Sequence, residues 1–295
     1  MGCRRRPATA IEGLLPDRLA GAWAAVEAGD LTEEQYGREH DRLLGEHAAA
    51  WAEALRLEGE VDLERSLLGE LAGHLGISPD EVRRRCQRAG DEIEVEWRLR
   101  VDAASAESIE CFYDQSPSHL YELTWWHTLV EDRSPLAYVV ALRFGLGRGC
   151  RSYLDYGAGI GSGGLLFARH GCAVDLADIS SLLLRFAGSR FARRGLPVGL
   201  IDLRSAPLPA ARYDLITVMD VIEHLVDPVA AVEQLHRALR PGGHLFGRFA
   251  VERDDERGEH IVRDLEPVFA RMRELGLVEV WRDEWLWGHQ AFRRS

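Results

Sequence analysis

The chain contains no lysine: all 36 of its basic residues are arginine. The missing lysine excludes a Schiff-base residue, and with it ordinary pyridoxal-phosphate chemistry. It also removes the residue that a Walker P-loop needs. Cysteine is scarce, with Cys3, Cys86, Cys111, Cys150 and Cys172 in 295 residues and none in a C-x-x-C pair. Neither a disulfide framework nor a zinc knuckle is suggested, and buried thiols are the plainer reading. No run approaches the roughly 18 apolar residues of a membrane span. No apolar stretch follows Arg4–Arg6, as a signal peptide requires. The expectation is a cytoplasmic protein without a membrane partner. Positive charge is short as well: 48 acids outnumber the arginines and give a net charge of -12. A nucleic-acid partner needs a positive surface and is not expected.

What is present is a folded chain, 46% hydrophobic and long enough for one or two domains. Its charge is uneven: residues 1–110 hold 24 acids and 14 arginines, whereas residues 111–295 are close to balanced. That asymmetry suggests two parts with different surfaces. The first part reads as helices. A short helix is expected over 14–28, ended by Gly29-Asp30. Thr32 and Gln35 form a capping-box pattern before a helix running to about Leu57. A third helix over roughly 61–75 stops at Gly76. Ser78-Pro79-Asp80-Glu81 is the clearest start signal, and one continuous amphipathic helix is expected after it, with Val82, Cys86, Ala89, Ile93 and Trp97 inward. Residues 1–110 are therefore read as a helical cap or a homodimerisation domain. Residues 111–149 change character: Phe112, Tyr113, Tyr121, Trp125 and Trp126 cluster with His119 and His127 around a break at Pro117. This segment is read as a linker and lid, either packed on the next domain or lining a cavity.

From about residue 150 strands alternate with helices. Strands are expected at 152–156, 173–178, 198–202, 213–219 and 244–249, the last after a Pro241-Gly242-Gly243 turn. Helices fall between them, and a closing pair of strands at 277–282 and 285–292 follows a helix over 265–275. Repeated units of this size indicate a mostly parallel α/β sheet covered on both faces. Such sheets bind ligands beyond the carboxyl ends of their strands. The Gly157-Ala158-Gly159-Ile160-Gly161 turn suits that place, because small residues bring backbone close to a ligand and the next helix presents free amides. Asp178 ends the second strand, where an acid accepts hydrogen bonds from ribose hydroxyls. To this point the pattern fits a dinucleotide or another adenosine cofactor equally.

The later segments discriminate. Residues 152–250 resemble the class I S-adenosylmethionine-dependent methyltransferases of the small-molecule type. Asp155-Tyr156-Gly157-Ala158-Gly159-Ile160-Gly161 is similar to their first motif, Asp178-Ile179-Ser180 to their ribose-binding acid, and Asp220-Val221-Ile222-Glu223-His224-Leu225 to their acid-x-x-Glu-His segment. Leu239-Arg240-Pro241-Gly242-Gly243 is similar to the turn before their fifth strand. The resemblance implies a Rossmann-like seven-stranded methyltransferase sheet over 150–295, with the last two strands as an antiparallel hairpin, behind an all-helical N-terminal domain. It implies S-adenosyl-L-methionine as cofactor, held by Asp155, Gly157, Gly159, Gly161, Asp178, Ile179, Asp202, Leu203 and Asp220. It implies methyl transfer to a small-molecule acceptor, oxygen first, by direct displacement.

The candidates for the acceptor's side of that reaction are His224, His260, His127 and Tyr113. His224 follows strand four. His260 follows the charged loop Glu252–Gly258, and the other two would enter from the lid. No metal is expected. Asp220, Glu223 and Asp227 are available, but the amide that metal-dependent O-methyltransferases place beside such acids is missing, since the chain has no asparagine at all. Competing readings are a nicotinamide dehydrogenase, which would lack the later segments, a non-catalytic cofactor-binding module, and a methyltransferase for a protein- or carrier-bound substrate. The acceptor's identity is not written in these residues.

Overall fold

The computed structural model describes residues 13–251 and 258–295. The arginine-rich start with Cys3, and most of the charged loop at 252–257, lie outside the described residues.

The helical part is built from α1 (Leu15–Glu27), α2 (Glu33–Leu55), α3 (Leu63–Leu75), α4 (Pro79–Cys86), α5 (Ala89–Arg100), α6 (Ala106–Gln115) and α7 (Ser118–Trp126). Its boundaries follow local chemistry. Thr32 and Gln35 exchange both bonds of a capping box at the start of α2. Asp62 caps α3, and Gly76 closes it in the left-handed conformation. Ser78 accepts the Glu81 N–H ahead of Pro79. The expected single helix after Ser78 is two. Gln87-Arg88 form a turn, yet Val82, Cys86, Ala89, Ile93 and Trp97 all remain buried, so the inward face survives the break.

After α8 (Ala137–Gly147) come β1 (Ser152–Tyr156), α9 (Ser162–Arg169), β2 (Ala173–Asp178), α10 (Ser181–Arg193), β3 (Gly199–Asp202), β4 (Tyr213–Val218), α11 (Pro228–Ala238), β5 (Leu239–Arg248), α12 (Glu266–Glu274), β6 (Leu277–Arg282) and β7 (His289–Arg294). The seven strands form one sheet in the order β3-β2-β1-β4-β5-β7-β6. Strands β1 to β5 are parallel, and β7 inserts antiparallel between β5 and β6.

Two expectations at the sheet edge are corrected. Pro241-Gly242-Gly243 lies inside β5, which begins at Leu239. The register jumps from Tyr213–Leu239 to Leu215–His244, so the chain bulges where proline has no N–H to give and Gly242 takes a positive φ of 78°. Trp285 and Trp287 do not belong to a strand. Asp283 is buried and its carboxylate accepts the N–H groups of Trp285, Leu286 and Trp287 within 2.9 Å, which turns the chain before β7.

The helices share a core with the sheet. Leu15, Leu19, Leu43 and Trp51 belong to the same buried cluster as Tyr138, Tyr153, Leu166, Phe167 and Leu176. On the other face α11 and α12 bury Val232, Leu235 and Val268 against Leu154, Ile216 and Leu245. Among the described residues no helix is long and apolar enough to cross a membrane.

Candidate functional site

The strand order reverses between β1 and β4: from β1 the chain runs outward through β2 and β3, then returns on the other side. The crevice beyond the carboxyl ends of strands at such a point is where this kind of sheet accepts a ligand. A cavity of about 1300 Å³ lies there. Its floor comes from the turn Tyr156–Gly159, the end of β2 at Asp178 and Ile179, Leu203 after β3, the segment Met219–Asp227 after β4, and Arg248 at the end of β5. Its roof comes from α5, α6 and α7 and the turn after them, including Tyr113, Trp125, Trp126 and His127.

The turn after β1 is shaped by two glycines. Gly157 has φ +69°, and a Cβ there would sit 2.4 Å from Val221 Cγ2. Gly159 has φ +52°, and its Cβ would meet Leu123 at 2.7 Å. A side chain would be strained at either place and would push apart the turn, the β4 segment and the roof. Bare backbone therefore faces the cavity. Asp178 holds this turn: its carboxylate accepts the Gly159 N–H at 2.7 Å and the Ser180 N–H at 2.8 Å. Burial raises its pKa above the ordinary value, while those two N–H groups pull the other way.

Three expected cofactor contacts are elsewhere. Asp155 is fully buried behind the turn and does not line the cavity. Its Oδ1 accepts from Thr217 at 2.8 Å and from Tyr138 at 3.3 Å, and burial lifts its carboxyl to about 7. Gly161 caps α9 in the left-handed conformation, below the cavity wall. Asp202 caps its own turn by accepting the Arg204 N–H at 3.0 Å, and it is Leu203 and Arg204 that reach the cavity.

The four candidates for acceptor chemistry do share this cavity. They are not equivalent. His127 is buried, neither of its ring nitrogens has a partner, and burial drives its pKa down to about 3, so it is a neutral imidazole. Tyr113 is held as a neutral phenol, first by burial and then by the carboxylates of Glu259, Glu122 and Glu223. His224 and His260 stand edge to face with ring centroids 4.6 Å apart. Ligand-capable atoms of Glu223, His224 and His260 all lie within 4.8 Å of one another. The backbone bond from Val262 N–H to the Glu223 carbonyl, 3.0 Å, ties the segment after β5 to the segment after β4 and brings the two histidines together.

Asp220 sits at the end of β4 with a positive φ of 49°, uncommon for a residue with a side chain. Its carboxylate meets Arg248 at 3.2 Å. Arg248 and His289 line the cavity and were not anticipated from the sequence. The signal for Arg248 was its place at the carboxyl end of a parallel strand. His289 carries none, because the stretch before it alternates like a strand in sequence.

The family profile described as a methyltransferase domain matches residues 154–247. Residues 154–247 thus match a methyltransferase domain. Similar proteins include a ubiquinone biosynthesis O-methyltransferase of Parvibaculum lavamentivorans, 38% identical over 32% of this chain and 38% of that one. Another, of Cupriavidus pinatubonensis, is 32% identical over 41% of this chain and 52% of that one. The chain thus spans between about two fifths and half the length of these curated relatives. A SAM-dependent methyltransferase from Leishmania major shares the fold, with a TM-score of 0.51 at 22% identity over 68% of this chain and 89% of that one. The methyltransferase profile ends before His260 and begins after the helical roof, so Tyr113, His127 and His260 stand outside it.

Proposed function

We propose that this protein transfers a methyl group from S-adenosylmethionine to an oxygen of a small-molecule acceptor. The observation that carries the reading is the sharing of one cavity by the glycine turn, Asp178 and the His224–His260 pair. The floor fits the cofactor by its own chemistry: unhindered backbone at Gly157 and Gly159, a buried carboxylate at Asp178, and the apolar side chains of Ile179 and Leu203. In this reading those five residues hold the cofactor, while Asp155, Gly161 and Asp202 hold the loops that carry them. The bound cofactor supplies a methyl carbon already electrophilic on a sulfonium. The chain's task is alignment and management of the acceptor's proton.

The roof places Tyr113, Trp125 and Trp126 over the site, with Trp287 from the turn before β7. That lining suits a flat, largely apolar acceptor carrying a hydroxyl. The imidazoles of His224 and His260 are the groups that face such a hydroxyl. Oxygen is also the acceptor named for the curated relatives. The test is calorimetric titration with S-adenosylhomocysteine, followed by labelled-methyl transfer to a panel of phenols and catechols. Wild type should bind, and Asp178→Ala should weaken binding at least about tenfold, the loss expected for a charged hydrogen-bond acceptor. A well-folded wild type that does not bind S-adenosylhomocysteine would refute the reading.

A further inference from the structure

We propose that Glu223, His224 and His260 form a divalent transition-metal site, of the zinc class, in the wall of the cavity. Their ligand-capable atoms lie within 4.8 Å of one another on two segments that the Val262–Glu223 backbone bond holds in register. Two imidazoles and one carboxylate are a donor set that binds zinc-class ions and leaves a coordination position open. Tetrahedral ligands at about 2.1 Å from zinc stand ~3.4 Å apart.

A second observation points the same way. His224 Nδ1 lies 3.0 Å from the Glu259 carbonyl oxygen, which accepts hydrogen bonds and cannot donate them. With the hydrogen on Nδ1 serving that carbonyl, Nε2 carries the lone pair. The Tyr113 hydroxyl completes the arrangement: it donates to the same carbonyl at 2.9 Å and lies 2.9 Å from Nδ1. Fixing one ring nitrogen by a backbone carbonyl so that the other meets a metal is the usual outer support of a metal-binding histidine. Here the support comes partly from α6, so the helical roof holds a histidine of the segment after β4.

The site lines the same cavity as the glycine turn. Its open position would take an oxygen of the acceptor and lower the pKa of an acceptor hydroxyl, whose proton then leaves to water. That last role rests on the methyl-transfer reading; the metal site itself does not. With an ion bound, His224 and His260 are ligands and not proton acceptors.

The experiment uses the full chain, stripped with chelator and titrated with Co2+ by visible absorption and with Zn2+ by calorimetry. S-adenosylhomocysteine binding and circular dichroism are recorded on the same samples. Wild type should bind one equivalent and give the intense visible bands of a low-coordinate cobalt site. Glu223→Gln and His260→Ala should each abolish the bands or weaken Zn2+ at least a hundredfold. Tyr113→Phe should keep the site and weaken it about tenfold or more, as loss of an outer-shell partner does. A folded wild type without cobalt bands would overturn the site, as would an unchanged spectrum in both folded ligand variants. If S-adenosylhomocysteine still binds in the first case, the metal site fails and the methyl-transfer reading stands. If cobalt binds and S-adenosylhomocysteine does not, the metal site stands and the methyl-transfer reading fails.

Discussion

Glu70 is fully buried on α3 between two buried arginines of the α10 segment. Its carboxylate takes Arg190 Nε at 2.9 Å and pairs with Arg194. Burial alone would raise its pKa, but the two guanidinium groups prevail and hold it below the ordinary value. Arg190 also reaches the Ile160 carbonyl and the Ser162 hydroxyl, each at 2.8 Å, and Arg194 bonds the Leu55 carbonyl at the end of α2. Arg190 Nη2 and Arg194 Nε already lack partners, so little remains to absorb further positive charge. Glu70→Gln keeps the shape and leaves two cations facing a neutral amide. Removing one member of a buried charge network costs about 3–5 kcal/mol. With a urea m-value near 3 kcal/mol/M for a chain of this size, the midpoint should fall by roughly 1–1.7 M. Glu64→Gln is the control. Glu64 pairs with Arg83 at the surface, where both side chains are partly exposed, and such pairs contribute about 0–1 kcal/mol. Because Arg190 grips the carbonyl of Ile160, Glu70→Gln should also weaken S-adenosylhomocysteine binding. A loss below ~1 kcal/mol for Glu70→Gln, at unchanged m, would refute the reasoning.

Two further outcomes are expected. The Asp155 carboxyl titrates at about 7 in the fold against 3.8 when free, so between those values the native state binds more protons than the unfolded one. Stability must then fall as pH rises from about 4 to 7, by up to ~1.4 kcal/mol per pH unit, and level off above. Asp155→Asn should remove that slope in urea titrations at several pH values, and parallel curves for the two proteins would contradict the assignment. A chain beginning at residue 111 should show no cooperative unfolding and should bind a hydrophobic dye, because it exposes the partners of Leu15, Leu43 and Trp51. A sharp transition with native near-ultraviolet dichroism would show instead that the sheet stands alone.

Much of the fold was legible because a parallel sheet writes itself plainly. β1, β2 and β6 fall at the expected residues and β3 and β4 within one residue of them, since apolar runs are bounded by glycine, proline and aspartate. The break between α4 and α5 was not legible: no glycine or proline marks Gln87-Arg88, and the buried positions keep their helical spacing through the turn. Trp285, Trp287 and His289 alternate like a strand, but the force that bends this stretch is the Asp283 carboxylate, which a periodicity argument does not register. Asp202 satisfied the spacing of a ligand acid while its side chain caps its own turn. The site was half legible. Residues close in sequence, such as Gly157 and Gly159, announce a backbone requirement by their identity. Pairs such as Glu70 with Arg190, 120 residues apart, or Tyr113 with His224, 111 apart, exist only once the helices have docked.

That docking is why the helices are part of the site and not an addition to it. Trp51 of α2 is fully buried, donates its indole N–H to the His127 carbonyl at 3.0 Å, and stacks on Tyr138 at 5.8 Å. The Tyr138 hydroxyl bonds Asp155 directly behind the glycine turn. Asp114, at the end of α6, accepts the Ser181 N–H at 3.1 Å at the head of α10 and pairs with Arg204 beside Leu203. One residue earlier, Tyr113 fixes the ring of His224. The helices therefore reach each part of the site: the glycine turn through Leu123 of α7 and through Tyr138 and Asp155 behind it, the loops after β2 and β3 through Asp114, and the histidine pair through Tyr113. The floor is common to the methyltransferase domain, whereas the roof lies outside the matched segment. Under the methyl-transfer reading, discrimination between acceptors belongs where the two meet, at the aromatic wall of α6 and α7.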